Sequence, residues 1–156
     1  MRTDRQYTLV LDLDETLVHY QDNGNEGVLL VRPGADWFLD QMSALYEVVI
    51  FTAAMQDYAD WVLDQLDPSG RISYRLYRQH ALPTGPVFIK DLSRLGRDLA
   101  KTIIVDNVAE NFRFQPDNGI FIKTWLDDMN DNALEELAPL LQSTKPSLIK
   151  LLQPSW

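Results

Sequence analysis

The stretch Tyr7–Val18, which reads YTLVLDLDETLV, constrains the fold of this chain more than any other. Its apolar run Leu9–Leu11 is typical of a strand covered on both faces. Two carboxylates, Asp12 and Asp14, follow directly and lie two residues apart, so an extended chain directs both to the same side. In an open parallel α/β sheet, ligands bind outside the carboxyl ends of the strands. The pattern therefore predicts a functional site where this first strand ends.

Two carboxylates about 5 Å apart repel each other by roughly 3 kcal/mol at an effective dielectric constant of about 20. A protein that places Asp12 and Asp14 together therefore needs a cation or a shared proton, and Mg²⁺ suits oxygen ligands of this kind. A calcium-binding loop is excluded, because Leu17 occupies the position of its glycine and Asn23 that of its bidentate glutamate. A polar strand end with two solvated acids is the alternative interpretation of this motif taken alone.

Hydrophobic periodicity divides the rest of the chain into strands and helices that alternate. After the first strand at 9–11, strands are predicted at 28–31, 46–51, 72–77, 87–90, 101–105 and 119–123. Helices are predicted at 35–45, 55–66, 130–141 and 146–152, with a helical turn within 91–99 and loops at 19–27 and 82–86. This alternation indicates an α/β domain with a mainly parallel sheet. Trp37, Trp61 and Trp125 lie in or beside apolar stretches and are predicted to be in the core.

Polar residues also follow the later predicted strands. Thr52 and Asp106 each come directly after a buried strand, as Asp12 does, and Lys90 ends a short extended stretch. Because a parallel sheet brings the carboxyl ends of its strands to one edge, we expect these side chains to lie together. Carboxylates there would hold a magnesium ion, whereas the hydroxyl and the ammonium would hold phosphate oxygens.

Length, charge and cysteine content narrow the possible functions. The chain has 156 residues and no cysteine, which predicts a single domain, 1–156, without disulfides, thiolate nucleophiles or cysteine-ligated zinc. The net charge of −9 argues against nucleic-acid binding by the surface as a whole. Half of the 14 basic residues lie within 71–101, where only two acidic residues occur. This basic segment is either a solvated face that pairs with neighbouring acids or a local anion site.

Five segments carry a resemblance to a known family: DLDETL, IFTA, the lysine of IKDLSRLGRDL, IIVDN and PDNGIFIKTW, in this order. Together they resemble the haloacid dehalogenase (HAD) superfamily, and most closely its small phosphatases named for the carboxy-terminal domain of RNA polymerase II (FCP/SCP-type, NLI-interacting-factor-like). The resemblance implies a Rossmann-like α/β fold with a mainly parallel sheet flanked by helices. No large cap domain fits between the matched segments, because only positions 53–89 separate Thr52 from Lys90 and 28–52 is already predicted as strand, helix and strand.

The resemblance further implies a role for each matching residue. Asp12 would attack phosphorus and form an aspartyl phosphate, while Asp14 would act first as general acid and then as general base. Thr52 would hydrogen-bond a phosphoryl oxygen, and Lys90 would neutralise charge on the nucleophile and the phosphate. The implied ligands of a Mg²⁺ cofactor are Asp12, the main-chain carbonyl of Asp14, Asp106 and Asn107. The residues that fall where family members contact substrate are Thr52, Ala53, Tyr58, Arg78 and Lys90.

The predicted function is that of a hydrolase, a Mg²⁺-dependent protein serine/threonine phosphatase. An uncapped site is open to bulky substrates, which favours a phosphorylated protein or peptide over a small metabolite, and the basic segment 71–101 would attract an acidic phosphopeptide. The segment 20–27 is shorter than the insert that helps relatives form an apolar pocket for a proline beside the phosphoserine. A preference for proline next to the phosphoserine is therefore in doubt.

Two other functions stay open at this point. One is a catalytically silent binding or scaffold domain of the same fold, and the other is a small-molecule phosphomonoesterase. We expect a monomer inside the cell, in the nucleus or the cytoplasm. We also expect no direct binding of nucleic acid and no membrane segment in this chain, since no apolar run reaches the length of a membrane span.

Overall fold

The structure, a computed structural model, describes residues 5–143 of the chain. Its strands are β1 (Thr8–Leu11), β2 (Val18–Asp22), β3 (Gly27–Val31), β4 (Glu47–Phe51), β5 (Tyr74–Leu76), β6 (Leu82–Thr84), β7 (Val87–Ile89), β8 (Thr102–Asp106) and β9 (Gly119–Phe121). Its α-helices are α1 (Ala35–Ser43), α2 (Gln56–Leu66) and α3 (Ala133–Ser143). Short 3₁₀ turns lie at Arg78–His80, Leu92–Leu95, Leu99–Lys101, Ala109–Phe112 and Pro116–Asn118.

A five-stranded sheet in the order β5–β4–β1–β8–β9 forms the centre of the fold, and all its neighbouring strands are parallel. Because side chains alternate along a strand, Leu9 and Leu11 of β1 face one side of the sheet and Val10 the other. All three α-helices pack on the first side. The 3₁₀ turn Leu92–Leu95 packs on the second side. Within residues 5–143 no large cap is inserted, so the predicted α/β fold is confirmed.

The helices bury one face each, as their periodicity predicts. The buried residues of α1 and α2 are Ala35, Phe38, Leu39 and Met42, and Ala59, Val62, Leu63 and Leu66. Trp37 and Trp61 lie off these faces and are 42% and 49% exposed, so their predicted place in the core is wrong. The direction of a helical side chain is set by its position around the helix axis, so an apolar residue outside the buried face is exposed to solvent. Trp125 is 1% exposed, as predicted.

Two predicted loops are strands. β2 covers 19–22 of the predicted loop 19–27 and pairs antiparallel with β3, from Val18 opposite Val31 to Asp22 opposite Gly27. β6 lies within 82–86 and pairs antiparallel with β7. Both strands are polar or exposed, and their ladder hydrogen bonds come from a partner strand that local sequence does not reveal. The predicted helix at 146–152 lies outside the described residues.

The basic segment 71–101 does not form an anion site as a unit. Three of its five arginines pair with acids of the fold. Arg71 contacts Asp36, Asp40 and Asp67, Arg75 contacts Asp60 and Asp64, and Arg97 contacts Glu47. Glu47 begins β4, so the Arg97 pair lies at the end of the sheet opposite to Thr52. For these three arginines the ion pairs agree with the alternative interpretation, a face that pairs with neighbouring acids.

Candidate active site

The register of the parallel strands brings polar residues to one edge of the sheet. Leu11, the last residue of β1, pairs with Ile50 of β4 and with Val105 of β8. The main-chain N–H of the residue after Leu11 extends this register, because it donates to the carbonyl of Val105 at 3.0 Å. The polar residues that the register places at this edge are Asp12, Thr52 and Asp106.

The ammonium group of Lys90 joins two of these residues. Its Nζ donates to Asp12 Oδ1 at 2.7 Å and to Asp106 Oδ2 at 2.6 Å, and Lys90 is fully buried. Burial alone would lower the pKa of Lys90, but the two carboxylates raise it, so the group stays charged. Burial raises the pKa of Asp106 to about 6, against the opposing effect of Lys90. The predicted convergence of Asp12, Lys90 and Asp106 is confirmed by these contacts.

Asp14 lies beside this cluster but has a different partner. Its Oδ1 accepts a hydrogen bond from the hydroxyl of Tyr58 at 2.6 Å. Burial raises the pKa of Asp14 to about 6, and the hydrogen bond from Tyr58 opposes part of that rise. A carboxyl group with such a pKa can both hold and release a proton close to neutral pH. The two acids of the motif are thus in different environments, one against an ammonium and one against a phenol.

The loop after β4 presents Thr52 and Ala53. The hydroxyl oxygen of Thr52 accepts the N–H of Ala54 at 3.0 Å, so the hydroxyl hydrogen is directed away from the loop and can donate elsewhere. Arg78 also contacts this loop and donates from Nε to the carbonyl of Ala53 at 2.6 Å. Its guanidinium also lies 4.8 Å above the ring of Phe88. The structure therefore places Arg78 at the loop of Thr52 and not at the carboxylates.

The donor set suits Mg²⁺. Asp12 and Asp106 contribute carboxylates, and Asn107 Oδ1 lies 3.5 Å from the hydroxyl of Thr16, which itself donates to Asp12. Within residues 5–143, no three histidine or acidic side chains form a metal cluster by themselves. Mg²⁺ commonly uses one or two carboxylates and completes its octahedron with water and other oxygens. Two buried acids that share one ammonium also leave negative charge for a cation to balance.

Three residues that the sequence patterns did not assign to the site adjoin it: Thr16, Tyr20 and Trp61. Thr16 is fully buried, and its hydroxyl donates to Asp12 Oδ2 at 2.9 Å. Tyr20 of β2 packs edge-on against Tyr58 and Trp61 of α2, with both ring centroids 6.1 Å away. The position of Thr16, two residues after Asp14, could have indicated that its side chain lies at the site. The aromatic cluster of Tyr20, Tyr58 and Trp61 was not predictable, because β2 itself was predicted as a loop.

The fold is an α/β domain with a parallel central sheet and α-helices packed against it. Solved structures of the RNA polymerase II CTD phosphatase Fcp1 have this fold. The fission yeast protein bound to beryllium fluoride superimposes with a TM-score of 0.66 at 22% identity, over 86% of this chain and 49% of that one. A second Fcp1 structure gives the same TM-score and identity, over 88% of this chain and 48% of that one.

Sequence comparison then identifies the family. Residues 7–150 match the model of the NLI interacting factor-like phosphatases, and the chain belongs to this family. It is 42% identical over 152 residues to CTD small phosphatase-like protein 2 of Dictyostelium discoideum, over 87% of this chain and 27% of that protein. It is 41% identical to Phosphatase Herzog of Drosophila melanogaster, over 86% of this chain and 43% of that protein.

A human relative gives a similar match. The chain is 39% identical over 150 residues to the human carboxy-terminal domain RNA polymerase II polypeptide A small phosphatase 2, over 86% of this chain and 55% of that protein. The chain therefore spans between about a quarter and just over half of the length of these curated relatives. In the part of the chain that the structure describes, no helix combines the length and apolar character that crossing a membrane requires.

Proposed function

We propose that this chain is a Mg²⁺-dependent phosphatase of phosphorylated serine or threonine in proteins. The observation that carries the proposal is the buried contact of Lys90 with both Asp12 and Asp106 at the carboxyl ends of adjacent parallel strands. A site of this composition suits the transfer of a dianionic phosphoryl group, which depends mostly on positioning and on charge neutralisation. The names of the relatives, which are phosphatases, support the same assignment.

In the first step, a carboxylate oxygen of Asp12 attacks phosphorus, and the bond from phosphorus to the serine or threonine oxygen breaks. Asp14 gives its proton to that leaving oxygen, which burial prepares by raising the pKa of Asp14 to about 6. Lys90 contacts Asp12 and neutralises charge on the nucleophile and the phosphate, and the hydroxyl of Thr52 donates to a phosphoryl oxygen. The product of this step is the free hydroxyl and an aspartyl phosphate on Asp12.

In the second step, water attacks phosphorus and Asp14 takes a proton from it. The bond between phosphorus and Asp12 breaks, which releases inorganic phosphate and restores both acids. Asp12, Asp106, the main-chain carbonyl of Asp14 and Asn107 are the groups that would hold Mg²⁺. The chemistry that Mg²⁺ supplies when bound is neutralisation of charge on the phosphoryl oxygens.

Two features favour a protein substrate over a small metabolite. No large cap covers the strand ends within residues 5–143, so a polypeptide can approach them. The aromatic cluster beside Asp14 is solvent-accessible, with Tyr20 40% and Trp61 49% exposed. Aromatic side chains at such positions are typical anchors in protein recognition.

The test is phosphate release by the purified domain and its Asp12→Asn variant. We expect wild-type protein with Mg²⁺ to hydrolyse p-nitrophenyl phosphate, and Asp12→Asn to lower kcat by about a thousandfold or more, because an amide cannot form the acyl phosphate. Asp127→Asn, which changes an exposed acid, is the matched control and keeps wild-type activity. A folded Asp12→Asn variant that retains activity would refute the mechanism.

Substrate class is decided by kcat/KM on phosphopeptides and on sugar phosphates. We expect the phosphopeptides to be preferred. A preference for sugar phosphates would assign a small-molecule phosphomonoesterase. Wild-type protein that binds phosphopeptides but releases no phosphate would assign a silent binding domain.

A further inference from the structure

Arg32 is a buried charge that the proposed chemistry does not use. It follows β3, is 1% exposed and forms a two-pronged ion pair with Asp131, from Nε to Oδ1 at 2.8 Å and from Nη2 to Oδ2 at 3.0 Å. Asp131 also accepts the N–H of Ala133, the first residue of α3, at 3.1 Å. The ion pair therefore fixes the end of β3 against the start of α3, two elements that lie far apart in sequence.

The third nitrogen of this guanidinium points toward the motif of the active site. Nη1 of Arg32 donates to the main-chain carbonyl of Thr16 at 3.1 Å. Thr16 in turn donates from its hydroxyl to Asp12 Oδ2 at 2.9 Å. A hydroxyl has a single hydrogen, and the charged oxygen of Asp12 competes well for it against Asn107 Oδ1 at 3.5 Å. A continuous chain of hydrogen bonds thus runs from Asp131 through Arg32 and Thr16 to Asp12.

We infer that Thr16 and Arg32 are positioning residues for Asp12. The terminal torsion of an aspartate side chain is broad, so contact at one oxygen leaves the carboxylate free to rotate. Lys90 holds Oδ1 of Asp12 and Thr16 holds Oδ2, and together they fix the plane of the carboxylate. The Arg32–Asp131 pair keeps the main chain of Thr16 in place so that its hydroxyl stays aligned. This inference rests on the proposed role of Asp12 as nucleophile.

Alignment of this kind affects rate more than binding. A nucleophile displaced by about 1 Å can lower the rate about a hundredfold, whereas ground-state affinity for the phosphate group changes little. If the buried ion pair merely supported the fold, its loss would lower stability and leave kcat unchanged below the melting temperature. A lower kcat with little change in KM would therefore indicate positioning. Lower stability with an unchanged kcat would indicate a purely structural role.

The first experiment compares Thr16→Val with Thr16→Ser. Valine keeps the shape of threonine without the hydroxyl, whereas serine keeps the hydroxyl. We expect Thr16→Val to lower kcat on p-nitrophenyl phosphate about tenfold or more with KM little changed, and Thr16→Ser to recover most of that loss. A crystal structure of Thr16→Val is expected to show a rotated Asp12 carboxylate. Wild-type kcat in Thr16→Val, or no recovery in Thr16→Ser, would overturn the inference.

The second experiment tests whether Arg32 acts through Thr16. Arg32→Lys keeps the charge but loses the two-pronged contact, and we expect it to lower kcat. Because the effect passes through Thr16, adding Arg32→Lys to Thr16→Val should lower kcat little further. Effects that multiply in the double variant would refute the coupling. If Arg32→Lys does not fold, the Thr16 variants decide the inference alone.

Arg71→Lys is the matched control for Arg32→Lys. Arg71 also has a paired guanidinium, which contacts Asp67 at 2.9 Å, but it lies away from the candidate site. We expect Arg71→Lys to lower stability and leave kcat unchanged, and a similar loss of kcat in this variant would point to a general effect of arginine loss.

Failure of the inference is distinguishable from failure of the proposed function. An inactive wild type removes the phosphatase assignment itself, and a fully active Asp12→Asn removes the role of Asp12 as nucleophile on which the inference rests. An active wild type with an inactive Asp12→Asn and an unaffected Thr16→Val removes only the positioning role.

Discussion

The ammonium group of Lys90 and the guanidinium of Arg32 are both buried charges, and each is balanced inside the protein. Lys90 contacts two carboxylates that belong to the proposed chemistry. Arg32 contacts a single carboxylate, Asp131, at the other side of the Asp12 motif. Removing one partner of such a buried pair leaves an uncompensated charge, which destabilises a protein by about 3–5 kcal/mol. Stability and activity therefore depend on some of the same interactions here.

The Arg32–Asp131 pair predicts how stability depends on pH. Hydrogen bonds from Arg32 hold the pKa of Asp131 below its usual range. The stabilisation is complete above the unfolded pKa of about 4 and is lost as the pH falls through the lower pKa of the folded state. We expect Asp131→Asn to unfold at lower urea concentration than wild type at pH 7, with a smaller difference at pH 3. Equal differences at both pH values, measured by urea titration, would contradict this prediction.

At the scale of secondary-structure elements, β2 and α2 combine to build the surface beside Asp14. Tyr20 comes from the strand and Tyr58 and Trp61 from the helix, and the three rings pack against one another. The cluster exists only because the β2–β3 hairpin folds back toward α2. Neither element presents this surface without the other.

This surface predicts an effect that is specific for peptides. Trp61→Ala should raise KM for a phosphopeptide about fivefold or more and leave KM for free phosphoserine unchanged, because the indole lies outside the carboxylate cluster. Trp37→Ala is the matched control, since Trp37 is similarly exposed but belongs to α1. Steady-state kinetics on both substrates measures the effect. An equal rise in KM for the phosphopeptide in the two variants would show that the cluster has no special role.

The same elements show what the sequence alone could predict. The α-helices and the strands of the parallel sheet follow from their periodicity, because each buries a continuous apolar face. The hairpin strands β2 and β6 do not, because their stability comes from pairing with a neighbour. Asp12, Lys90 and Asp106 were predictable from strand ends and family resemblance. The place of Arg32 was not, because its ion pair with Asp131 joins segments that lie far apart in sequence, whereas Thr16 contacts an acid of its own motif.

At the scale of the whole molecule, the parallel sheet brings together site residues that lie between Asp12 and Asp106 in the sequence. Any ligand that binds this edge therefore stabilises several elements together. The two carboxylates on Lys90 carry more negative charge than the ammonium balances, and this charge would attract a divalent cation. Since Asp12 follows β1 and Asp106 ends β8, a bound cation would link two adjacent strands of the sheet.

Binding of Mg²⁺ is therefore expected to stabilise the folded domain. At a concentration about 100 times its Kd, Mg²⁺ should raise the free energy of unfolding by about 2.7 kcal/mol. Thermal unfolding in MgCl₂ and in NaCl of equal ionic strength measures this, with NaCl as the control for screening. The difference should shrink in Asp106→Asn, which loses a proposed ligand. Identical curves in the two salts would argue against a magnesium site.

The burial of Lys90 also has a consequence for chemical labelling. Lys90 is 0% exposed, whereas the side chain of Lys123 is 64% exposed. An acylating reagent should therefore modify Lys123 within minutes and reach Lys90 only when the domain opens, because an amine reacts when it is accessible and uncharged. Mass spectrometry that follows acylation of the two lysines over time would then measure how often the folded domain opens to expose Lys90.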